Sequence, residues 1–133
     1  MAPRMLPTLD DRNRPFWTGG ANGELLILRC GACGRWVHPP VERCPSCMGE
    51  LSPQPVSGHG TIFTFTVNEQ QFHPDVAPPY VIAIVVLDEQ DDLRLPTNIV
   101  NADADTLRVG APVHVLFEQH GEVFVPIFEP AAF

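Results

Sequence analysis

The chain has 133 residues, of which 44% are apolar and 18% charged, a globular balance with room for one domain or two small modules. Sixteen acidic residues face eight basic ones, all arginine, and the net charge is −8. No stretch reaches the roughly 18 uninterrupted apolar residues of a membrane span, and residues 1–10 (MAPRMLPTLD) carry no apolar signal segment, so a cytoplasmic protein without membrane association is expected.

Charge and proline narrow the classes further. Residues 1–50 carry a net +1 and residues 51–133 a net −9. An acidic module repels a phosphate backbone, because nucleic-acid affinity comes largely from Lys and Arg displacing counterions. Prolines number 15, well above an average near ~5%. They break helix interiors and favour short strands and loops.

In chain order, Asp10 and Asp11 precede a short amphipathic run with Pro15 in its first turns, which predicts a helix over residues 10–18. Gly19, Gly20 and Gly23 weaken it beyond that point. A strand over residues 24–29 then leads into the cysteines. Residues 30–56 have almost no apolar periodicity, and a segment this short cannot fold on a core of its own. Residues 61–67 alternate, with Phe63, Phe65 and Val67 expected on one face and Ile62, Thr64 and Thr66 on the other. Residues 80–87 (YVIAIVVL) read as a strand buried on both faces. A polar turn over residues 88–92 and a second run over 93–100 complete a hairpin, its tip expected to be solvated. A helical turn near residues 103–109 stops at Gly110. Val113, Val115 and Phe117 then alternate, and a turn at Gly121 leads to Val123, Val125 and Ile127. Five short strands point to a small barrel.

The strongest chemical signal is Cys30-Gly-Ala-Cys33, ten residues, then Cys44-Pro-Ser-Cys47. Each C-x-x-C turn aims two thiolates at one ion, and two such turns supply the tetrahedral four-thiolate set of structural zinc. Gly34 permits the left-handed backbone that a knuckle needs; in the second knuckle the glycine comes one residue later, at Gly49. A redox dithiol needs one pair, in a βαβ setting absent here. An iron centre of rubredoxin type uses the same ligands and stands as the alternative to zinc. Four thiolates leave no open position, so the site is expected to be structural. No G-x-S-x-G, P-loop or H-E-x-x-H motif is present.

The order Pro15-Phe16-Trp17, Arg29-Cys30, Cys33-Gly34, Pro39-Pro40 and Cys44-Pro45-x-Cys47 is followed by Gly58-x-Gly60-Thr61, Pro79-Tyr80-Val81, Thr97-Asn98, Gly110-x-x-Val113 and Pro126-x-Phe128. Over residues 10–130 this resembles the acyl-CoA-associated proteins that join a rubredoxin-like zinc ribbon to an OB-fold. The resemblance implies a mainly β chain: a short N-terminal helix with a lead-in strand (1–28), a four-cysteine zinc ribbon (29–56), and a five-stranded OB-fold barrel with a C-terminal tail (57–133). It also implies a non-catalytic accessory subunit of a thiolase-like enzyme (an acetyltransferase, thiolase or steroid side-chain aldolase) that helps shape the acyl-CoA site. A MaoC-type enoyl-CoA hydratase is a further implied partner. The competing reading is an RNA or single-strand binder, which OB-folds and ribbons also serve; the absence of lysine and the acidic second half oppose it.

Several residues carry two readings each. Phe16 and Trp17 either pack over the ribbon or contact a partner or acyl chain. Residues 70–79 (QQFHPDVAPP), with Phe72 and His73, form either a solvated connection or one that faces ligand. Arg29, Arg35 and Arg43 meet a CoA phosphate or offset the charge of about −2 that four thiolates and one divalent zinc would leave. Residues 128–133, from Phe128 onward, are a frayed terminus or an apolar hook for a partner. The five histidines are scattered, and surface or core roles are expected of them.

Overall fold

In the computed structural model of the protein, residues 6–68 and 80–131 are described. At Asp10 the chain folds back on itself: the Asp10 Oδ1 accepts from the N–H groups of Arg12 and Asn13 at 2.9 and 2.8 Å. That turn delays the helix, so α1 spans only Arg14–Thr18. Pro15 sits in its first turn, where a missing N–H costs nothing. A 3-10 turn, Gly19–Asn22, follows, and Gly23 ends it at φ 72°.

Two sheets follow. The first is three-stranded, in the order β2 (Trp36–Val37), β1 (Leu25–Cys30), β3 (Leu51–Val56). Its outer strands are built from the segment whose sequence shows no periodicity. β3 is an edge strand, and Pro53 and Pro55 stand opposite Leu28 and Leu26 of β1. Two prolines at alternate positions leave the intervening residues to pair and blunt the free edge.

The second sheet closes into a barrel in the order β4 (His59–Asn68), β5 (Tyr80–Leu87), β6 (Arg94–Ile99), β8 (Val123–Pro130), β7 (Pro112–His120). The chain is thus mainly β, with one short helix, a four-cysteine ribbon and a five-stranded closed OB-fold barrel. The predicted hairpin is β5–β6, paired from Val81 opposite Ile99 to Val86 opposite Arg94. The turn before Gly110 is a single 3-10 turn, Ala104–Thr106, capped by the Asp103 carboxylate.

Two facial assignments differ from the sequence expectation. β4 is irregular between Ile62 and Thr64. One extra residue there reverses the alternation. Ile62 is therefore buried, Phe63 is 45% exposed, and Phe65 and Val67 return to pack against the core. β5 is not buried on both faces. Val81, Ala83, Val85 and Leu87 point inward, while Ile82 is 42% exposed.

One apolar cluster unites both sheets: Leu25, Ile27 and Trp36 of the ribbon pack in the same core as Val85, Leu95 and Phe128 of the barrel. The β5–β6 tip fastens them together and is not merely solvated. Gln90 accepts from the Trp36 N–H at 2.9 Å and returns a hydrogen bond to the Trp36 carbonyl at 2.9 Å. Arg35 and Asp92 pair beside it at 2.6 Å. Glu89 accepts from the Ser57 N–H at 2.7 Å. Gln90→Leu should leave the Trp36 backbone pair without partners, which costs about 1–3 kcal/mol. Hydrogen exchange should then quicken at Trp36 and Val37 and stay unchanged in β7; equal protection in both proteins would refute the clamp.

Candidate metal centre

The two cysteine knuckles are built alike. In the first, the Gly34 N–H donates to the Cys30 carbonyl at 3.0 Å; in the second, the Met48 N–H donates to the Cys44 carbonyl at 2.8 Å. The left-handed residue is Gly34 in one, at φ 78°, and Met48 in the other, at φ 64°. The displaced glycine of the second knuckle therefore serves another end. A Cβ on Gly49 would sit 2.6 Å from the Cys30 sulfur and 3.2 Å from the Cys47 sulfur. Only a hydrogen fits beside that cluster.

The four sulfurs converge. Cys30 and Cys47 lie 3.5 Å apart, Cys33 and Cys44 3.7 Å apart, and all four ligand atoms fall within 4.8 Å of one another. A tetrahedron with metal–sulfur arms of ~2.3 Å has edges near ~3.8 Å, so the set fits one ion. Cys30 and Cys44 are buried and Cys33 and Cys47 exposed. The centre is anchored on its inner side and open to solvent on the other.

Electrostatics prepare the thiols unequally. The Cys33 N–H, helped by that of Ala32, outweighs burial and brings Cys30 down to about 6. Burial pushes Cys44 up, but the N–H groups of Ser46 and Cys47 prevail and its pKa falls. The Gly49 N–H favours the Cys47 thiolate, yet the surrounding sulfurs overcome it and push Cys47 up to about 12. Without a cation the four sulfurs cannot all ionise together. A bound divalent ion supplies that charge and cross-links the knuckles, and four thiolates leave it no open coordination position.

The arginines near the knuckles are committed within the chain. Arg29 donates from Nε to the Gly34 carbonyl at 2.9 Å and lies over the Trp36 ring. Arg35 is held by Asp92, which keeps the guanidinium charged and draws the Asp92 carboxyl below its usual range. Arg43 approaches Glu50 at 3.9 Å. Among the other contact candidates, Phe16 is buried, with its ring edge-on to Trp17. Phe128 is fully buried in the barrel and is not a surface hook. Trp17 remains half-buried, and Phe72 and His73 lie outside the described residues.

His38 was not singled out by sequence. It stacks on Phe16 at 4.6 Å, and burial lowers its pKa from 6.5 to about 4. Its imidazole is neutral in the folded state at pH values where the unfolded chain takes a proton. Stability is therefore lost as pH falls from about 6.5 to about 4, by up to about 3 kcal/mol. His38→Phe keeps the stacked ring and removes the titration. The loss of unfolding free energy between pH 7 and pH 5 should shrink by about 2 kcal/mol in this variant; an unchanged pH slope in urea melts would contradict the assignment.

No helix is long and apolar enough to cross a membrane among the described residues. The family model for the ChsH2 rubredoxin-like zinc ribbon domain matches residues 17–52, and that for the ChsH2 C-terminal OB-fold domain matches residues 53–118. A probable enoyl-CoA hydratase alpha subunit of Thermomonospora curvata is 34% identical over 91% of the chain. A 3-oxo-4,17-pregnadiene-20-carboxyl-CoA hydratase alpha subunit of Mycobacterium tuberculosis is 32% identical over 86%. The chain spans only 38% and 36% of the length of these two relatives. A DUF35 domain-containing scaffold protein of Methanothermobacter thermautotrophicus is 34% identical, over 72% of this chain and 73% of its own. Among solved structures, a chain of the Ltp2-ChsH2(DUF35) aldolase superposes with a TM-score of 0.82 at 33% identity, covering 96% of this chain and all of that one. A DUF35 protein of unknown function from Sulfolobus solfataricus shares the fold at 15% identity, with a TM-score of 0.66. Ribbon, barrel and relatives agree, and the chain belongs to the DUF35 family in its ChsH2-type form, a rubredoxin-like zinc ribbon joined to an OB-fold.

Proposed function

We propose that this chain is a non-catalytic accessory subunit that binds a thiolase-fold acyl-CoA enzyme in the cytoplasm and helps form its acyl-CoA site, with one zinc ion held by Cys30, Cys33, Cys44 and Cys47. The observation that carries this reading is the full-length likeness to the chain of the Ltp2-ChsH2(DUF35) aldolase. The partner's reaction is an acyl transfer, a thiolysis or the aldol cleavage of a steroid side chain. A MaoC-type hydratase is a second candidate partner, supported by the two hydratase alpha subunits.

The chemistry of the chain supports a structural role. Among the described residues, no serine, threonine or tyrosine hydroxyl bonds a histidine ring or a carboxylate. The Thr18, Thr97 and Thr106 hydroxyls donate to backbone carbonyls, and Tyr80 accepts from Asn68. The sulfurs serve one another. Co-expression with a thiolase-fold acyl-CoA enzyme of the same organism should give a complex stable to gel filtration, with higher solubility or turnover of the enzyme. Cleavage of acyl-CoA by this chain alone, or full activity of the enzyme without it, would overturn the proposal.

A further inference from the structure

A groove of about 700 Å³ runs between the N-terminal helix with the ribbon on one side and the barrel on the other. Volumes of this size are typical of small-molecule sites. Trp17, His38 and Pro39 form one wall; Ile84, Pro96 and Pro126 form much of the other. The two barrel strands at its floor, β6 and β8, are joined at Ile99 opposite Phe128. Nearer their other ends, Thr97 spans them by donating its hydroxyl to the Pro126 carbonyl at 3.0 Å. Pro96 and Pro126 carry no N–H, so the groove is poorly made for an added β-strand. Its apolar lining suits a compact hydrocarbon body.

The polar groups on its walls narrow the occupant. Arg94 lies over the Phe63 ring at 4.1 Å and has no carboxylate partner among the described residues. It is one of only two arginines in a half of the chain that holds eleven carboxylates. A guanidinium presents its N–H groups in a planar fork that matches a carboxylate bidentately. The Trp17 indole N–H and the His38 ring nitrogens likewise have no hydrogen-bond partner among the described residues, and both side chains line the same groove. Indole and guanidinium can only donate. An occupant that satisfies them brings acceptors, and the guanidinium favours acceptors that carry negative charge.

We infer that this groove is a binding site for a small amphipathic carboxylate, its apolar body between Trp17 and the Pro96–Pro126 wall and its carboxylate on Arg94. The reading is independent of the accessory role proposed above, since it concerns the lone chain and a free small molecule. Hydrophobic contact supplies most of the affinity and is indifferent to head group. The guanidinium supplies the selectivity.

Titration calorimetry of the full chain with three probes that share a ten-carbon chain tests this: decanoate, decanol and decyltrimethylammonium. Decanoate should bind about tenfold more tightly than decanol, and the cation more weakly than either. Arg94→Gln changes an exposed side chain and should bring decanoate to within about twofold of decanol, with decanol binding unchanged. Trp17→Ala removes the wall against which the apolar body packs and should weaken decanoate and decanol alike, leaving their ratio unchanged. Equal binding of all three probes, or an Arg94→Gln protein that still prefers the carboxylate, would refute the site. So would an absence of any binding, which would leave the groove as a seat for a partner's apolar side chain.

Discussion

Cys44→Ser protein should emerge from purification with its metal lost, whereas the wild-type chain should carry close to one zinc per molecule. Cys44 is the buried ligand of the second knuckle, and its sulfur lies 3.7 Å from that of Cys33. A serine hydroxyl there is a poor ligand, and three thiolates around a weak fourth donor do not close the set. Structural zinc contributes an apparent ~10–16 kcal/mol in zinc-finger peptides, so even a fraction of that outweighs what holds residues 30–50 otherwise. β1 should resist longer, because Leu25 and Ile27 belong to the shared core and not to the knuckles. Hydrogen exchange should therefore collapse across both knuckles, fall partly in β1 and stay largely intact in the barrel. Elemental analysis showing full metal in the serine variant, or four titratable free thiols in folded wild-type protein, would refute the assignment.

The cysteine knuckles were legible because a C-x-x-C turn is local: spacing along the chain fixes spacing in space. The barrel was legible for a related reason, since alternation and turn residues mark strands one at a time. What the sequence hid lies between distant segments or in single-residue irregularities. The extra residue at Phe63 has no local marker, and a period-2 reading passes straight through it to the wrong face. β5 looks doubly buried because Ile82, Ile84 and Val86 are apolar; nothing in the run itself says that this side is open. The tip over residues 88–92 reads as a solvated charge run, yet Gln90 serves the Trp36 backbone from 54 residues away. Composition also misleads over residues 51–56, where prolines mimic a loop until the strand is placed on a sheet edge.

Phe128→Ala should be among the most damaging single changes in the barrel. The ring is fully buried, and its residue stands opposite Val115 of β7 and Ile99 of β6 at the parallel contact that closes the barrel. Its carbonyl also accepts from the Val100 N–H at 2.8 Å, a bond that survives the substitution and keeps the local backbone in place. The loss is then mainly of packing: about 3–5 kcal/mol for a buried phenylalanine, against a total of ~5–15 kcal/mol for a domain of this kind. Phe63→Ala removes the same atoms from a ring that is 45% exposed, so its cost should be distinctly smaller. Urea unfolding of both variants separates the two cases, and equal costs would mean that the burial assigned to β8 is wrong. The comparison also decides how a C-terminal deletion should be read. Removing residues 128–133 takes out a core side chain and the closing contact together, so a lost complex in that deletion would report barrel collapse. A partner contact has to be tested instead by a change at Trp17, whose half-buried side chain does not hold the barrel closed.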